Sequence, residues 1–268
     1  MPDVWSMVAE LDPAAQERLA AVLETRGADP QQQAMRRAFL SDIRFPAQAR
    51  VLEVGCGTGV LSRVLARWPE MGSVVGVDPA RSLLCKARSL ATGLSNLSFQ
   101  EADGRSLPFD DESFDAVLFD STLSHMPAPE QALRQAARVL RPLGWLGVFD
   151  GDYATVAVAL GEHDPLQACV DAMMAGSVND RWVARRLPAL ARGCRLNVVT
   201  FRSHGFVDAA EPTYMLTIVD RGADLLAQAG RIGPELAAAL KAEGRRRASA
   251  GTFYGQIAYA HLVARKPG

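Results

Sequence analysis

Between Arg50 and Gly59 the chain reads RVLEVGCGTG, an apolar run that gives way to three glycines at alternate positions before a helix-like stretch begins. Val51, Leu52 and Val54 suit a buried strand, and Gly55, Gly57 and Gly59 let the backbone turn sharply and approach a ligand without Cβ interference. The next apolar run, Val74 to Val77, ends in an acid, Asp78. A strand, a glycine turn, a helix N-terminus and a second strand closing on a carboxylate make a nucleotide-type pocket.

The surrounding pattern supplies the rest of such a fold. Apolar runs at Val51 to Val54, Val74 to Val77, Leu97 to Gln100, Ala116 to Phe119 and Leu143 to Phe149 alternate with helical segments near Leu61 to Ala66, Arg81 to Ala91 and Glu130 to Leu140. In the second of these helices Leu83, Ala87, Leu90 and Ala91 recur at helical spacing and predict one buried face. Strand and helix in alternation imply a parallel sheet covered on both sides. Upstream, Ala14 to Leu40 is helix-like and broken by Gly27-Ala28-Asp29-Pro30, where one helix ends and another starts. After Asp150 the alternation stops: 152 to 192 reads mostly helical, Leu196 to Phe201 as a strand, 220 to 249 as helix, and Thr252 to Val263 as a last strand. The predicted organisation is one structural domain with an N-terminal helical lid (1–46), a nucleotide-binding core (47–150), and a second half of the sheet with helical insertions that bind the acceptor (151–268).

Composition narrows the function classes. A length of 268 residues with 49% hydrophobic positions suffices for one sizeable core. A net charge of -1 and a pI near 6.4 argue against a nucleic-acid binder, which needs a basic stripe to displace counterions. The one dense basic run, Arg245-Arg246-Arg247, reads as a solvated helix end. The first residues, MPDVWSMVAELDPAA, lack the order of a signal peptide, and Ala248 to Ala264 is too diluted by glycine and polar residues for a membrane span, so the expected location is cytoplasmic. Cys56, Cys85, Cys169 and Cys194 form no C-x-x-C pair, and reduced thiols are expected.

Spacing arbitrates between nucleotide ligands. A dinucleotide turn wants its third small residue three positions after the second glycine; that position is Val60, and Gly59 comes one residue early. Glu53 to Gly59 instead resembles motif I of the class I S-adenosylmethionine (AdoMet) dependent methyltransferases. Val77-Asp78-Pro79 resembles the acidic strand end of that family, and Glu101-Ala102-Asp103-Gly104 its adenine loop. Leu107 to Asp115 and Ala137 to Gly144 are similar to the branch containing ubiquinone and menaquinone C-methyltransferases. The family commonly has Pro-Gly-Gly where this chain has Pro142-Leu143-Gly144, which puts the geometry of that turn in question.

The resemblance implies an α/β fold with a doubly wound, mostly parallel seven-stranded sheet whose last strand is antiparallel, and it implies AdoMet as cofactor with S-adenosylhomocysteine as product. It assigns the ribose hydroxyls to Asp78 with Pro79 beside it, the adenine to Ala102, Asp103 and Gly104, and the methionine moiety to the turn of Glu53, Gly55, Cys56 and Gly57. Asp120 and Ser121 complete the cofactor set. The thiol of Cys56 reads as a small buried filler, and Asp78 has a second reading as a plain helix N-cap with Pro79 at the first helical position. Arg36, or its neighbour Arg37, lies where some relatives set a cation against the AdoMet carboxylate. His125 follows the fourth strand in the segment that passes under the transferable methyl; it reads either as a general base or as a structural residue fixing the loop. His163, His204 and Tyr254 are further candidates to reach the acceptor, and Trp5, Met7, Met35, Met173, Met174, Trp182 and Met215 either line an apolar acceptor pocket or serve as core.

No metal-ligand constellation is visible, and none is expected to take part. The expected reaction is a direct in-line attack on the methyl by a small-molecule acceptor of quinone or natural-product type, with no nucleic-acid partner and at most a second copy of the chain in a homodimer. Competing readings are a macromolecular methyltransferase, a non-catalytic AdoMet-binding protein, and a nicotinamide-dependent oxidoreductase.

Overall fold

Seven strands form one sheet in the computed structural model, which describes residues 3–5, 7–209 and 212–268. They are β1 (Ala49–Val54), β2 (Met71–Asp78), β3 (Leu97–Glu101), β4 (Phe114–Asp120), β5 (Leu140–Ala157), β6 (Asn197–Asp208) and β7 (Gly255–Arg265). Their order is β3-β2-β1-β4-β5-β7-β6, with β7 antiparallel to both β5 and β6 and the other pairs parallel. The chain leaves β1 toward β2 and β3 on one side and returns to β4 on the other. The crevice at the carboxyl ends of β1 and β4 is therefore the topological switch point, where open α/β sheets bind ligands.

Nine α-helices are described: α1 (Pro13–Ala28), α2 (Pro30–Ser41), α3 (Val60–Leu65), α4 (Arg81–Leu90), α5 (Pro129–Val139), α6 (Pro165–Ser177), α7 (Val183–Gly193), α8 (Tyr214–Gln228) and α9 (Pro234–Ser249). Three of them start on Asp-Pro: Asp12, Asp29 and Asp164 accept a hydrogen bond from a first-turn amide, with proline at the first helical position. Strand periodicity divides the core. Val51, Ala116 and Leu118 face a cluster with Phe39, Phe149 and Tyr259 that continues into α6 and α8. Leu52, Val54, Val117 and Phe119 face the opposite cluster, with Leu133 of α5 and Leu187 of α7.

The expected spans differ from the observed ones chiefly after Asp150. Residues 152–157, expected to be helical, continue β5, because β7 runs antiparallel beside them and Tyr153 and Val156 are buried in the first cluster. On α4, Leu83 and Ala87 are buried, but Leu90 is exposed; Leu84 takes its place inward. The Arg245–Arg247 run is only partly solvated. Arg247 is largely buried and donates to Asp164 at 2.6 and 3.1 Å, tying the end of α9 to the cap of α6. At Gly222 of α8 a Cβ would stand 1.9 Å from the Cys169 carbonyl oxygen, so this glycine sets how closely α6 and α8 pack.

Leu143, at the turn where the resemblance expects glycine, adopts φ 65° with its side chain half exposed. A left-handed conformation costs a β-carbon residue about 1 kcal/mol, and glycine pays no such steric cost. Leu143→Gly is expected to raise unfolding free energy by at most about 0.5 kcal/mol, because the freer unfolded chain offsets most of the relieved strain, as read by urea denaturation. A destabilised variant would mean that the Leu143 side chain contributes more packing than its exposure suggests.

Candidate active site

The glycine turn after β1 is built around Asp78. Its Oδ2 accepts from the Gly57 amide at 2.9 Å and its Oδ1 from the Ala80 amide at 2.8 Å, so one carboxylate joins the turn to the start of α4. The helix itself is capped at Ala80, which sets aside the reading of Asp78 as its N-cap. Gly55 lies at φ 72°, and a Cβ there would come within 2.3 Å of the Thr122 side chain. Gly104 is equally confined, its missing Cβ facing Val54 at 2.5 Å. These positions let two loops close on one another.

Above the turn is a cavity of about 240 Å³. Glu53, Gly55, Cys56, Gly57, Asp78, Pro79, Asp103, Gly104, Asp120, Ser121, Arg36 and His125 all line it. Ala102 does not; its backbone N–H donates to the Asp78 carbonyl at 3.3 Å. Residues that no sequence reading pointed to complete the wall, among them Leu23, Arg26 and Arg105.

The charged groups fall into two sets. On the floor, Arg36 donates from Nε to Asp120 Oδ2 at 2.5 Å, both side chains being nearly fully buried, while Glu53 accepts from the Ser62 hydroxyl. Burial pushes the Glu53 carboxyl up to about 8, helped by the charge of Asp120 and opposed by the Ser62 hydrogen bond and Arg36. Asp78 is likewise raised to about 6 by burial, its two backbone donors pulling the other way. At the rim, Asp103 accepts from Arg105 Nη2 at 2.6 Å, and that hydrogen bond holds its carboxyl below the usual carboxylate range.

Three polar atoms at this cavity are buried without a partner: Arg36 Nη1, Thr58 Oγ1 and Arg26 Nε. Buried polar atoms are otherwise nearly always paired, so these three are open to a ligand. A ligand with a ribose, an ammonium and a carboxylate fits this donor and acceptor set: acceptor oxygens at Asp78 and Glu53 and a guanidinium N–H at Arg36.

His125 is held at both ring nitrogens. Nδ1 lies 2.7 Å from Asp3 Oδ2, and Nε2 lies 3.2 Å from the Tyr153 hydroxyl. With Asp3 ionised, Nδ1 carries the proton and Nε2 accepts from Tyr153, whose own pKa burial raises well above the ordinary phenol. Asp3 also accepts from the Asn179 amide at 2.8 Å, so this ring ties the N-terminal segment, the loop after β4 and the segment before α7 together. Asp150, buried, clamps that loop from below by accepting from the Ser124 hydroxyl and amide at 2.7 and 3.1 Å. Ser121, at φ 52°, receives Arg26 Nη2 on its Oγ at 3.0 Å.

Other sequence candidates fall elsewhere. Arg37 is exposed and does not line the cavity. His204 bonds His261 at 2.8 Å between β6 and β7, Tyr254 bonds Gln256, and neither they nor His163 line it. Met35, Met173, Met174 and Met215 are core, Trp182 is exposed, and Met7 does not line the cavity, which leaves Trp5 as the member of that set at the site. Arg26, Asp3 and Tyr153 carried no sequence signal, since each depends on packing between segments far apart in the chain.

Residues 52–148 match the methyltransferase domain family. Among curated relatives, methyltransferase GfsG of Streptomyces halstedii is 40% identical over 121 residues, covering 42% of this chain and 43% of the relative. The 2-phytyl-1,4-naphtoquinone methyltransferase of Synechococcus elongatus is 37% identical over 106 residues, covering 38% and 45%. The matched stretch thus spans less than half the length of these relatives. Among solved structures, that of the [4+2]-cyclase SpnF is 27% identical with a TM-score of 0.56, covering 90% of this chain and 85% of the other.

If Asp78 holds two hydroxyls of a bound ligand, Asp78→Ala is expected to weaken S-adenosylhomocysteine binding by about 2–3 kcal/mol, roughly 30- to 150-fold, in calorimetry. Unchanged affinity would remove Asp78 from the ligand's contacts. Because its folded pKa lies near 6, the acceptor is lost by protonation below that value. Affinity is expected to fall by up to about tenfold per pH unit below 6 and to level off once the loss equals that of Asp78→Ala.

Proposed function

We propose that this chain is a class I AdoMet-dependent methyltransferase similar to the branch of the quinone C-methyltransferases, and that it transfers a methyl group from AdoMet to a small-molecule acceptor by direct in-line attack. The observation that carries this reading is the buried carboxylate of Asp78 joined to the glycine turn, under a cavity whose unpaired polar atoms complement AdoMet. The names of the relatives, a naphthoquinone methyltransferase among them, favour a small acceptor.

In this reading Asp78 accepts the ribose hydroxyls, and Ala102, Asp103 and Gly104 frame the adenine. Gly55, Cys56 and Gly57 pass beside the methionine chain, with Glu53 and Asp120 near its ammonium and Arg36 Nη1 near its carboxylate. When bound, AdoMet supplies a methyl already activated on a sulfonium, so the protein's work is alignment and exclusion of water. Ser121, Thr122 and His125 come from the loop that Asp150 holds in place, and Trp5 covers it. His125, held at both ring nitrogens by Asp3 and Tyr153, acts in this reading as the structural residue that fixes that loop.

A second reading has one specific support. The likeness to SpnF, a [4+2]-cyclase, is compatible with the same pocket serving a reaction other than methyl transfer. Incubating the chain with methyl-labelled AdoMet and a metabolite extract separates the two. A labelled small product is expected. Binding of AdoMet with no labelled product from any extract would favour the second reading, and label found in RNA or protein would favour a macromolecular acceptor.

Glu53 provides a further check. With its pKa near 8 it is largely neutral at pH 7, so Glu53→Gln is expected to bind S-adenosylhomocysteine within about threefold of the native chain there. Above pH 8 the native chain should bind progressively better than the variant, as its carboxylate ionises opposite the ammonium. Parallel curves across pH 6.5–9 would place the ammonium elsewhere.

A further inference from the structure

A second cavity, of about 170 Å³, opens between α1, α2, the end of β6 and the start of α8. Its aromatic wall is Phe206 and Tyr214, which meet edge to face at 6.1 Å. Cavities of about 150 Å³ accept a single benzene ring. The space is therefore of the size for one ring with small substituents.

Two buried side chains in this wall are incompletely paired. Gln32 is 1% exposed, and neither Oε1 nor Nε2 of its amide has a hydrogen-bond partner. Its backbone N–H donates to Asp29, which caps α2, but the side chain is uncommitted. An amide buried with nothing to bond costs about 1–3 kcal/mol, a cost an apolar residue of the same size would avoid. Arg26 is 7% exposed and lines both cavities. Its guanidinium donates to Ser121 Oγ and lies 5.5 Å from the centre of the Tyr214 ring, while Nε has no partner. Among the described residues no carboxylate stands within ion-pair distance of it. Burial opposes its charge, yet Tyr259, Tyr214, Tyr153 and Asp120 together hold its pKa well above the ordinary value, and Asp120 is itself bonded to Arg36. A guanidinium kept charged in this wall with its Nε unbonded is a ready donor to an anionic ligand atom.

We propose that this second cavity binds the methyl acceptor, and that the acceptor is a single-ring phenol or enol whose acidic oxygen is held as an oxyanion by Arg26 while a second polar substituent pairs with the Gln32 amide. The inference rests on the methyl-transfer reading and deepens it. Because Arg26 lines both cavities, in this proposal the oxygen sits at its guanidinium, on the side of the second cavity toward the donor site. Binding releases the oxygen's proton to solvent. The oxygen then forms a bond to the methyl carbon as the carbon–sulfur bond of AdoMet breaks, and that electron pair stays on sulfur, leaving the neutral thioether and the methyl ether.

The probe is 4-nitrophenol, with 4-nitroanisole as its uncharged counterpart, titrated into the full chain in the presence of S-adenosylhomocysteine. The expected result is saturable binding with the phenolate absorption band appearing below the pH at which free 4-nitrophenol ionises, and at least tenfold weaker binding of 4-nitroanisole. Arg26→Gln should abolish the shift in ionisation. Gln32→Leu should weaken the probe fivefold or more while S-adenosylhomocysteine affinity stays unchanged, and it should unfold at a higher temperature than the native chain. Should Arg26→Gln fail to fold, Gln32→Leu and the ionisation shift of the native chain still decide the matter. Binding of S-adenosylhomocysteine without saturable probe binding, or probe binding that neither variant alters, would overturn the acceptor site and leave methyl transfer standing. Failure of the native chain to bind S-adenosylhomocysteine would overturn the methyl-transfer reading, and the acceptor role of this cavity with it.

Discussion

One buried carboxylate fixes the geometry on which the rest of the site depends. Asp78 ends β2, and its two oxygens accept from amides on either side, Gly57 in the turn after β1 and Ala80 at the start of α4. Burying that charge is costly, as its raised pKa indicates, and the two N–H groups offset part of the cost. In return the turn and the helix start are held to one another across the carboxyl end of the sheet. Each oxygen keeps a lone pair free, so the group that locks the turn also faces the cavity as an acceptor.

The enclosure over that turn is made by segments distant in sequence. The α1 and α2 helices bring Arg26 and Arg36 across the sheet ends, and the N-terminal segment brings Asp3 to His125, 122 positions away. Charge pairing decides how these parts sit. Arg36 is neutralised by Asp120, Asp3 binds the imidazole and the Asn179 amide, and Asp150 holds the His125 loop through Ser124. Arg26 is the exception, since it is buried with a hydroxyl and a ring for company and faces both cavities. Arg36 on the floor thus has a bonded carboxylate, whereas Arg26, in the wall of both cavities, forms no ion pair among the described residues.

Legibility in the sequence followed the range of the interactions. The strands up to Phe149 were readable because buried parallel strands are apolar runs and the helices between them carry a period of their own. Asp-Pro capping is equally local and marks the starts of α1, α2 and α6. The extension of β5 through Ala157 was not readable, because residues there become strand only through pairing with β7, about a hundred positions on. Leu90 matched the helical period yet is exposed, and Leu84 turns inward instead. Arg247 looked like a solvated charge and is a cap partner for α6, a role set by the approach of α9.

By itself the sequence determined the order of strands and helices, the glycine turn with Asp78 opposite it, and the kind of ligand that such a turn admits. Those features are encoded within short windows, where backbone freedom, strand burial and turn chemistry act on neighbouring residues. Tertiary structure alone decided which charges are buried and which of them are paired: Arg26 against Ser121 and Tyr214, His125 between Asp3 and Tyr153, Gln32 with an empty amide. The reason is desolvation. Whether a polar side chain is left without a partner depends on every segment that excludes water from it, and those segments come together only when the whole sheet and its covering helices are in place.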